Sequence, residues 1–425
     1  MTRIVFRNAS IWDGTGAAPF NGDVLVQDDR IAAIARETGQ LAAQGAREID
    51  AAGRFLMPGL VEGHAHLSFS GAIKDSDMGD IPPEEHLLLT MRNAATLLDH
   101  GFTSAYSAAS AKLRLDVVIR NEVDAGRLPG PRIRAASPEI TVTGGLGDER
   151  RNHMYKESFG MVADGADDLV RVVRTCAREG VDIIKINISG DDLGPLATGD
   201  ITVMKEHEVA AAAETARDFN KKTSCHARSA ESVKRALRCG IDVIYHGEGA
   251  DEEALDMLEA ARDRIFVGPA IGLIHNTLYE SEHLGTTMEQ AEGFGMRRIL
   301  EQSAHVYGEL RKRGVRTVIG GDYGFACTPQ GTNARDLEHF VDLLGYSASE
   351  ALQCATRVGG ELMWQGDDIG LIREGWLADL LLVDGDPLAD LSIMTDATRL
   401  AVIMKDGKLH KNAPVESGAR RQAAE

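Results

Sequence analysis

The sequence predicts an α/β protein, a (β/α)8 barrel carrying a small composite β-sandwich formed by both termini. Three observations predict it. Strand-like and helix-like segments alternate through the middle of the chain, as a βα repeat requires. Short alternating strands around turn pairs occur only near the two ends. Imidazole and carboxylate side chains fall at the C-terminal ends of several middle strands, the face where barrel sites are assembled.

The first segments, TRIVFRNASIWDGTG and GDVLVQDDRIAAI, carry the turn pairs Asp13-Gly14 and Asn21-Gly22. ADLLLVDGDPL and RLAVIMKDGKLH repeat that texture near the other end. Each half-set is too small to close a core, so the two are expected to pack on each other as one domain, 1–58 with 360–412. The barrel then takes 59–359. The remaining 413–425, polar and without a core pattern, reads as a disordered tail.

Within the barrel, helices are expected at EEHLLLTMRNAATLLDHG, DDLVRVVRTCAREG, KEHEVAAAAETARDFN, SAESVKRALRCG and MRRILEQSAHVYGELRKRG. Several stop at a glycine, as a helix C-cap favours. The strands are expected at VEGHAHL, FTSAYSA, VDIIKINIS, KTSCHA, IDVIYHG, ARDRIFVGPAI and VRTVIGGD. A doubly wound open sheet is the competing fold. It lacks its glycine-rich GxGxxG fingerprint after the first strand, and Gly144-Gly145-Leu146-Gly147 signals only a loop.

At 425 residues the chain can bury a large core without staples. Its 46 Lys+Arg against 65 Asp+Glu leave a formal charge of −19, which argues against nucleic acid as a partner and for a small molecule. Cys176, Cys225, Cys239, Cys327 and Cys354 are scattered and form no CxxC pair, so neither a disulfide framework nor a thiolate metal site is suggested. No signal-like segment or apolar run of membrane-spanning length occurs, so the expected location is the cytoplasm, with no membrane partner.

Strand periodicity turns His64 and His66 to one side, with Ala65 opposite. In VDIIKINIS, Ile184, Ile186 and Ile188 face the helices while Lys185, Asn187 and Ser189 face inward. A lysine inside a barrel must meet a carboxylate, lose its proton or be chemically altered. KTSCHA ends in His226, IDVIYHG in His246, and VRTVIGGD in Asp322 behind two glycines that let the backbone come close. Tyr245, next to His246, is expected on the opposite face as packing. Taken singly, each residue also fits a structural role: a core histidine, a helix N-cap aspartate, a lysine paired with a nearby acid. Taken together they suit zinc or a similar divalent ion. Five such ligands exceed the need of one tetrahedral ion and point to two.

The stretches FLMPGLVEGHAHLSF, GFTSAYSAAS, IIKINISG, CHARSAESVKRAL, VIYHGEGADEEAL, VIGGDYG and IGLIREGWLADLLLVDGDPLADL together resemble the amidohydrolase superfamily, in particular its prolidase-like and imidazolonepropionase-like members. The resemblance implies two divalent metal ions, zinc first among them. His64 and His66 hold one with Asp322, and His226 and His246 hold the other. Lys185, N6-carboxylated by carbon dioxide, bridges both: a carbamate is an anionic two-oxygen ligand where a free lysine is a cation. It also implies hydrolysis of a C–N bond, amide or cyclic amide, by metal-activated hydroxide, with Asp322 carrying the proton to the leaving nitrogen.

The loops after the strands are expected to set the substrate. Arg150, Arg151, His153, Tyr155 and Lys156 in one, His275, Asn276 and Tyr279 in another, and Arg228 beside His226 suggest a substrate with a carboxylate or an aromatic, phenolate-like group. Surface pairing of the arginines is the competing reading. Phe69, Ser70 and 78–83 would shape an aromatic-compatible pocket. Peptidase-like relatives commonly carry a histidine where this chain has TVTGGLGDER, which weakens simple dipeptide cleavage. The alternatives are a cyclodehydratase running the reverse chemistry, an aromatic or heterocyclic deaminase, and, in another class, a metal-free binding or scaffold barrel. Barrels of this kind often form homo-oligomers.

Overall fold

The computed structural model describes residues 2–412 apart from 43, 74, 151–152, 154–157 and 194–196. The polar tail at 413–425 lies outside the described residues.

Both termini build one sheet. Strands Arg3–Ile11, Phe20–Gln27, Arg30–Ala35, Arg47–Asp50 and Phe55–Pro58 join Leu380–Val383, Leu400–Lys405 and Lys408–Asn412 in a single eight-stranded mixed sheet. The two halves meet where Leu380–Val383 runs antiparallel to Phe55–Pro58, with Leu381 opposite Met57. Phe6, Ile11, Val24 and Ile31 from one half bury against Leu382, Val402 and Met404 from the other, so neither half closes without its partner. One expected turn is not a turn: Asn21 and Gly22 lie inside the strand Phe20–Gln27. Glycine stands there because a Cβ would meet the Ala35 carbonyl oxygen at 2.0 Å across the sheet.

The barrel strands follow in parallel: Leu60–Ala65, Phe102–Ser107, Arg132–Arg134, Ile183–Asn187, Lys222–Ser229, Val243–Gly249 and Phe266–Gly268. An extended segment from Thr317 to Tyr323 completes the ring, bridging Val267 on one side and Ala65 on the other. The third strand was not singled out above. Its arginines mask the pattern, and Arg132 serves the barrel floor, pairing with Asp379 at 2.6 Å and with Asp406 of the terminal sheet. The expected helices occur at Pro83–Asp99, Ala166–Arg178, Glu206–Asp218, Ala230–Cys239 and Met296–Lys312. The stretch GLIHNTLYE, expected as a loop, is the helix Ile271–Tyr279, because Ile271, Ile274 and Leu278 recur at helical spacing and are buried in the core.

The barrel interior is a packed plug of Val61, Tyr106, Ile183, Val243, Tyr245, Phe266 and Val318. Ile184, Ile186 and Ile188 face the helices, as period-two alternation requires. Side chains above the plug therefore gather at the mouth formed by the C-terminal strand ends.

Candidate metal centre

Four imidazoles and one carboxylate converge at that mouth. His64 and His66 leave the first strand on one side, their ring centroids 5.0 Å apart. Asn187 pairs with His226 across the fourth and fifth strands, and His226 with Tyr245 across the fifth and sixth, so all three face inward. Simple alternation would then send His246 outward. Instead His246 takes a left-handed φ of 75° that returns its ring to the mouth, 4.2 Å from that of His226 and 5.7 Å from that of His64. Asp322 is likewise left-handed, with φ 62°. Non-glycine residues held there store backbone strain, a habit of functional sites.

The same alternation corrects the reading of Tyr245. It lies on the inner face, its ring 4.0 Å from that of His64 and its hydroxyl donating to the Gly63 carbonyl at 2.7 Å, where it floors the site. The close approach expected at the paired glycines is present: a Cβ on Gly320 would lie 2.5 Å from His64 Cβ.

His64, His246 and Asp322 each present one ligand atom, all within 4.8 Å of one another and all buried. His66 Nε2 lies 3.0 Å, and His64 Nε2 3.7 Å, from Asp322 Oδ1. The outer hydrogen bonds set the tautomers. His66 Nδ1 donates to the Ala109 carbonyl at 3.1 Å, leaving Nε2 to face the site. His226 Nε2 donates to the Gly190 carbonyl at 2.9 Å, leaving Nδ1. His64 Nδ1 and His246 Nδ1 are buried with no hydrogen-bond partner. Orphaned buried ring nitrogens are costly unless something binds them, and this donor set of imidazole and carboxylate suits a divalent ion.

The electrostatics agree. Burial holds the His64 and His246 rings well below the usual histidine range and brings His226 down to about 3, so these ligands are neutral at pH 7. Burial pushes Asp322 upward, but His64, His66 and Lys185 outweigh it and keep the carboxylate ionised.

Lys185 is 1 % exposed, and its Nζ lies 5.0 Å from the Tyr245 ring centroid. Burial pushes the amine toward neutrality, opposed by the charges of Glu139 and Asp322. Glu139 escaped the sequence reading because it follows the third strand, which was itself unseen. It is buried, accepts from Asn187 Nδ2 at 2.8 Å, and is raised by burial against the pull of Lys185. Glu62, beneath His64, also escaped: it accepts from the His64 amide at 3.1 Å, and burial pushes it up to about 8.

The residues expected at the substrate divide. Arg228 is enclosed by its own acids, Asp191 at 2.7 Å and Glu248 at 2.7 Å, all three buried. Asn276 is buried and donates to the Cys327 carbonyl at 2.9 Å, bracing the loop that follows Asp322. The His275 ring is tilted against two others, 4.5 Å from that of His339 and 5.0 Å from that of Tyr279. Arg150 is exposed beside Asp148, and His153 is exposed. Arg151, Tyr155 and Lys156 lie outside the described residues. Phe69 stacks on His66 at 3.9 Å and is buried with Met78 and Phe159, an aromatic wall against one ligand.

A closed parallel barrel with buried, neutral imidazoles and an ionised aspartate at its mouth defines a metal-dependent hydrolase. The chain belongs to the amidohydrolase family, whose model matches residues 55–410, and it is an enzyme acting on C–N bonds of small substrates. Among curated proteins it is similar to the ochratoxinase of Aspergillus niger, 23% identical over 419 residues, 92% of this chain and 84% of that one. Among solved structures it is similar to an amidohydrolase (TM-score 0.86, 25% identity, 98% of this chain and 100% of the other). A Xaa-Pro dipeptidase with methionine bound in its active site gives a TM-score of 0.86 at 25% identity, over 97% of this chain and 100% of the other.

Proposed function

We propose that this protein hydrolyses an amide or cyclic amide bond in a small substrate bearing a carboxylate or an aromatic group. The centre takes two divalent ions, zinc first, with His64, His66 and Asp322 at one, His226 and His246 at the other, and N6-carboxylated Lys185 between them. The observation that carries this is the convergence of one ligand atom each from His64, His246 and Asp322 within 4.8 Å, at histidines whose Nδ1 atoms are buried and unpartnered. Lys185 supports the bridge: burial favours its neutral amine, the form that adds carbon dioxide.

When bound, such ions polarise a carbonyl and supply hydroxide at neutral pH. Asp322, ionised and beside both His64 and His66, takes the proton from the attacking water and returns it to the leaving nitrogen. His66 and His226 keep one face turned inward through their bonds to the Ala109 and Gly190 carbonyls. The Phe69 ring and the Tyr245 floor exclude water from two sides.

The likeness to a Xaa-Pro dipeptidase supports a substrate with a free carboxylate. Arg150, Arg151, His153, Tyr155, His275 and Asn276 stay the first places to seek its contacts, with Arg228 acting through its own acids. The same reading divides the chain into 59–359 and the paired 1–58 and 360–412. No described helix is long and apolar enough to cross a membrane, and all five cysteines are free, which supports a reducing, cytoplasmic setting. A homo-oligomer belongs to the same proposal. The test is a panel of N-acyl amino acids, dipeptides, aryl amides and cyclic ureas, assayed with and without chelator. Turnover of one class, lost on chelation and regained with zinc, is expected; turnover indifferent to chelation would overturn the reading.

A further inference from the structure

The seam between the first and last barrel strands is held by few backbone bonds. Gly63 N donates to the Ile319 carbonyl at 2.9 Å, and Ala65 and Tyr323 form one isolated bridge. Yet His64, His66 and Asp322 flank this seam. No continuous ladder fixes the gap between His66 and Asp322, so side chains must do so.

They come from one stretch, 328–336. Thr328 Oγ1 donates to the Asp322 carbonyl at 3.0 Å. Asn333 Nδ2 donates to Glu62 Oε2 at 2.9 Å, while Glu62 Oε1 accepts the His64 amide. Asp336 accepts from Gly320 N at 3.3 Å and from the Tyr323 hydroxyl at 3.3 Å. Gln330 does more than these. Its Nε2 donates to the His66 carbonyl at 2.9 Å and to the Tyr323 carbonyl at 3.3 Å, touching both sides of the seam with one amide.

We infer that Gln330 is a positioning residue that clamps the His66 backbone to the segment carrying Asp322, and so sets the spacing between the ligands His66 and Asp322. This rests on the metal reading above. The chemistry of the position is specific. Two carbonyls need two N–H donors on one atom, which a primary amide supplies. Methionine fills the same volume without a donor, and asparagine is one methylene short of spanning both carbonyls. Histidine keeps one N–H at similar reach and can hold one of the two carbonyls.

The experiment is release of zinc from the loaded protein into a chromogenic chelator, for wild type, Q330M and Q330H, with thermal unfolding of each metal-free form. Q330M is expected to release zinc roughly 10–100-fold faster, as lost outer-shell contacts do. Its metal-free unfolding temperature should match that of wild type, and Q330H should recover only part of the retention. Should Q330M fail to fold, Q330N carries the same expectation. Release within about twofold of wild type overturns the clamp, since outer-shell partners act by more than that. A metal-free Q330M that unfolds clearly below metal-free wild type also overturns it, by making Gln330 a general structural residue. Wild-type protein that retains no zinc is a different failure: it removes the metal reading and the clamp with it.

Discussion

Replacing Arg228 by methionine removes the one cation between two buried acids. Asp191 and Glu248 each lie 2.7 Å from the guanidinium, and the three side chains are at most 10% exposed. Burial pushes Asp191 upward but Arg228 outweighs it, and the same guanidinium opposes the burial that raises Glu248. Without Arg228, two carboxylates share a low-dielectric site with no counter-charge. Breaking a buried pair by removing one partner costs about 3–5 kcal/mol. Urea unfolding of the metal-free protein should show a loss of that size. The triple variant D191N/R228M/E248Q should regain most of it, because all three charges leave together. The alternative role, a contact to a substrate anion, makes the opposite forecast: near-normal stability with a raised KM for carboxylate-bearing substrates. R228M within about 0.5 kcal/mol of wild type would refute the enclosed triad.

Asp322→Asn removes the proton carrier while leaving an oxygen that can face a metal; kcat should fall roughly 10²–10⁴-fold with metal content retained, and an undiminished kcat would end the proton-transfer role. His226 makes the metal-free protein acid-sensitive. Its folded value of about 3 lies below the ordinary 6.5, so as pH falls the unfolded chain takes the proton first. Stability is complete above pH 6.5 and declines toward pH 3 by about 1.4 kcal/mol per pH unit from this group. Asp116, raised to about 6 by burial, contributes in the opposite direction below that pH. Urea unfolding of wild type and H226Q at pH 7.5, 6.5 and 5.5 therefore isolates the histidine as a difference, and parallel profiles would contradict it.

Much of the fold was legible because its signals are local. Helices such as Met296–Lys312 announce themselves by spacing, and the ligands by their place at strand ends. What escaped depends on departures from regular geometry or on contacts distant in sequence. Tyr245 was misplaced because the left-handed turn at His246, not alternation, brings that histidine inward. The strand Arg132–Arg134 was hidden by its two arginines, whose partners lie far along the chain: Asp379 for Arg132 and the Met363 carbonyl for Arg134. With it went Glu139. Arg228 looked like a free cation because its two acids come from other strand ends. Nothing in the spacing of 328–336 reveals that its side chains brace the backbones of His66 and Asp322 directly and that of His64 through Glu62, since those bonds span up to 271 positions.

The account is tested most directly by anomalous scattering at the zinc edge from crystals of the zinc-loaded protein. It predicts one peak at about 2.0–2.2 Å from ligand atoms of His64, His66 and Asp322 and a second at that distance from His226 and His246, with added density on Lys185 Nζ. A mouth without any peak, or zinc bound only at surface residues, would contradict it.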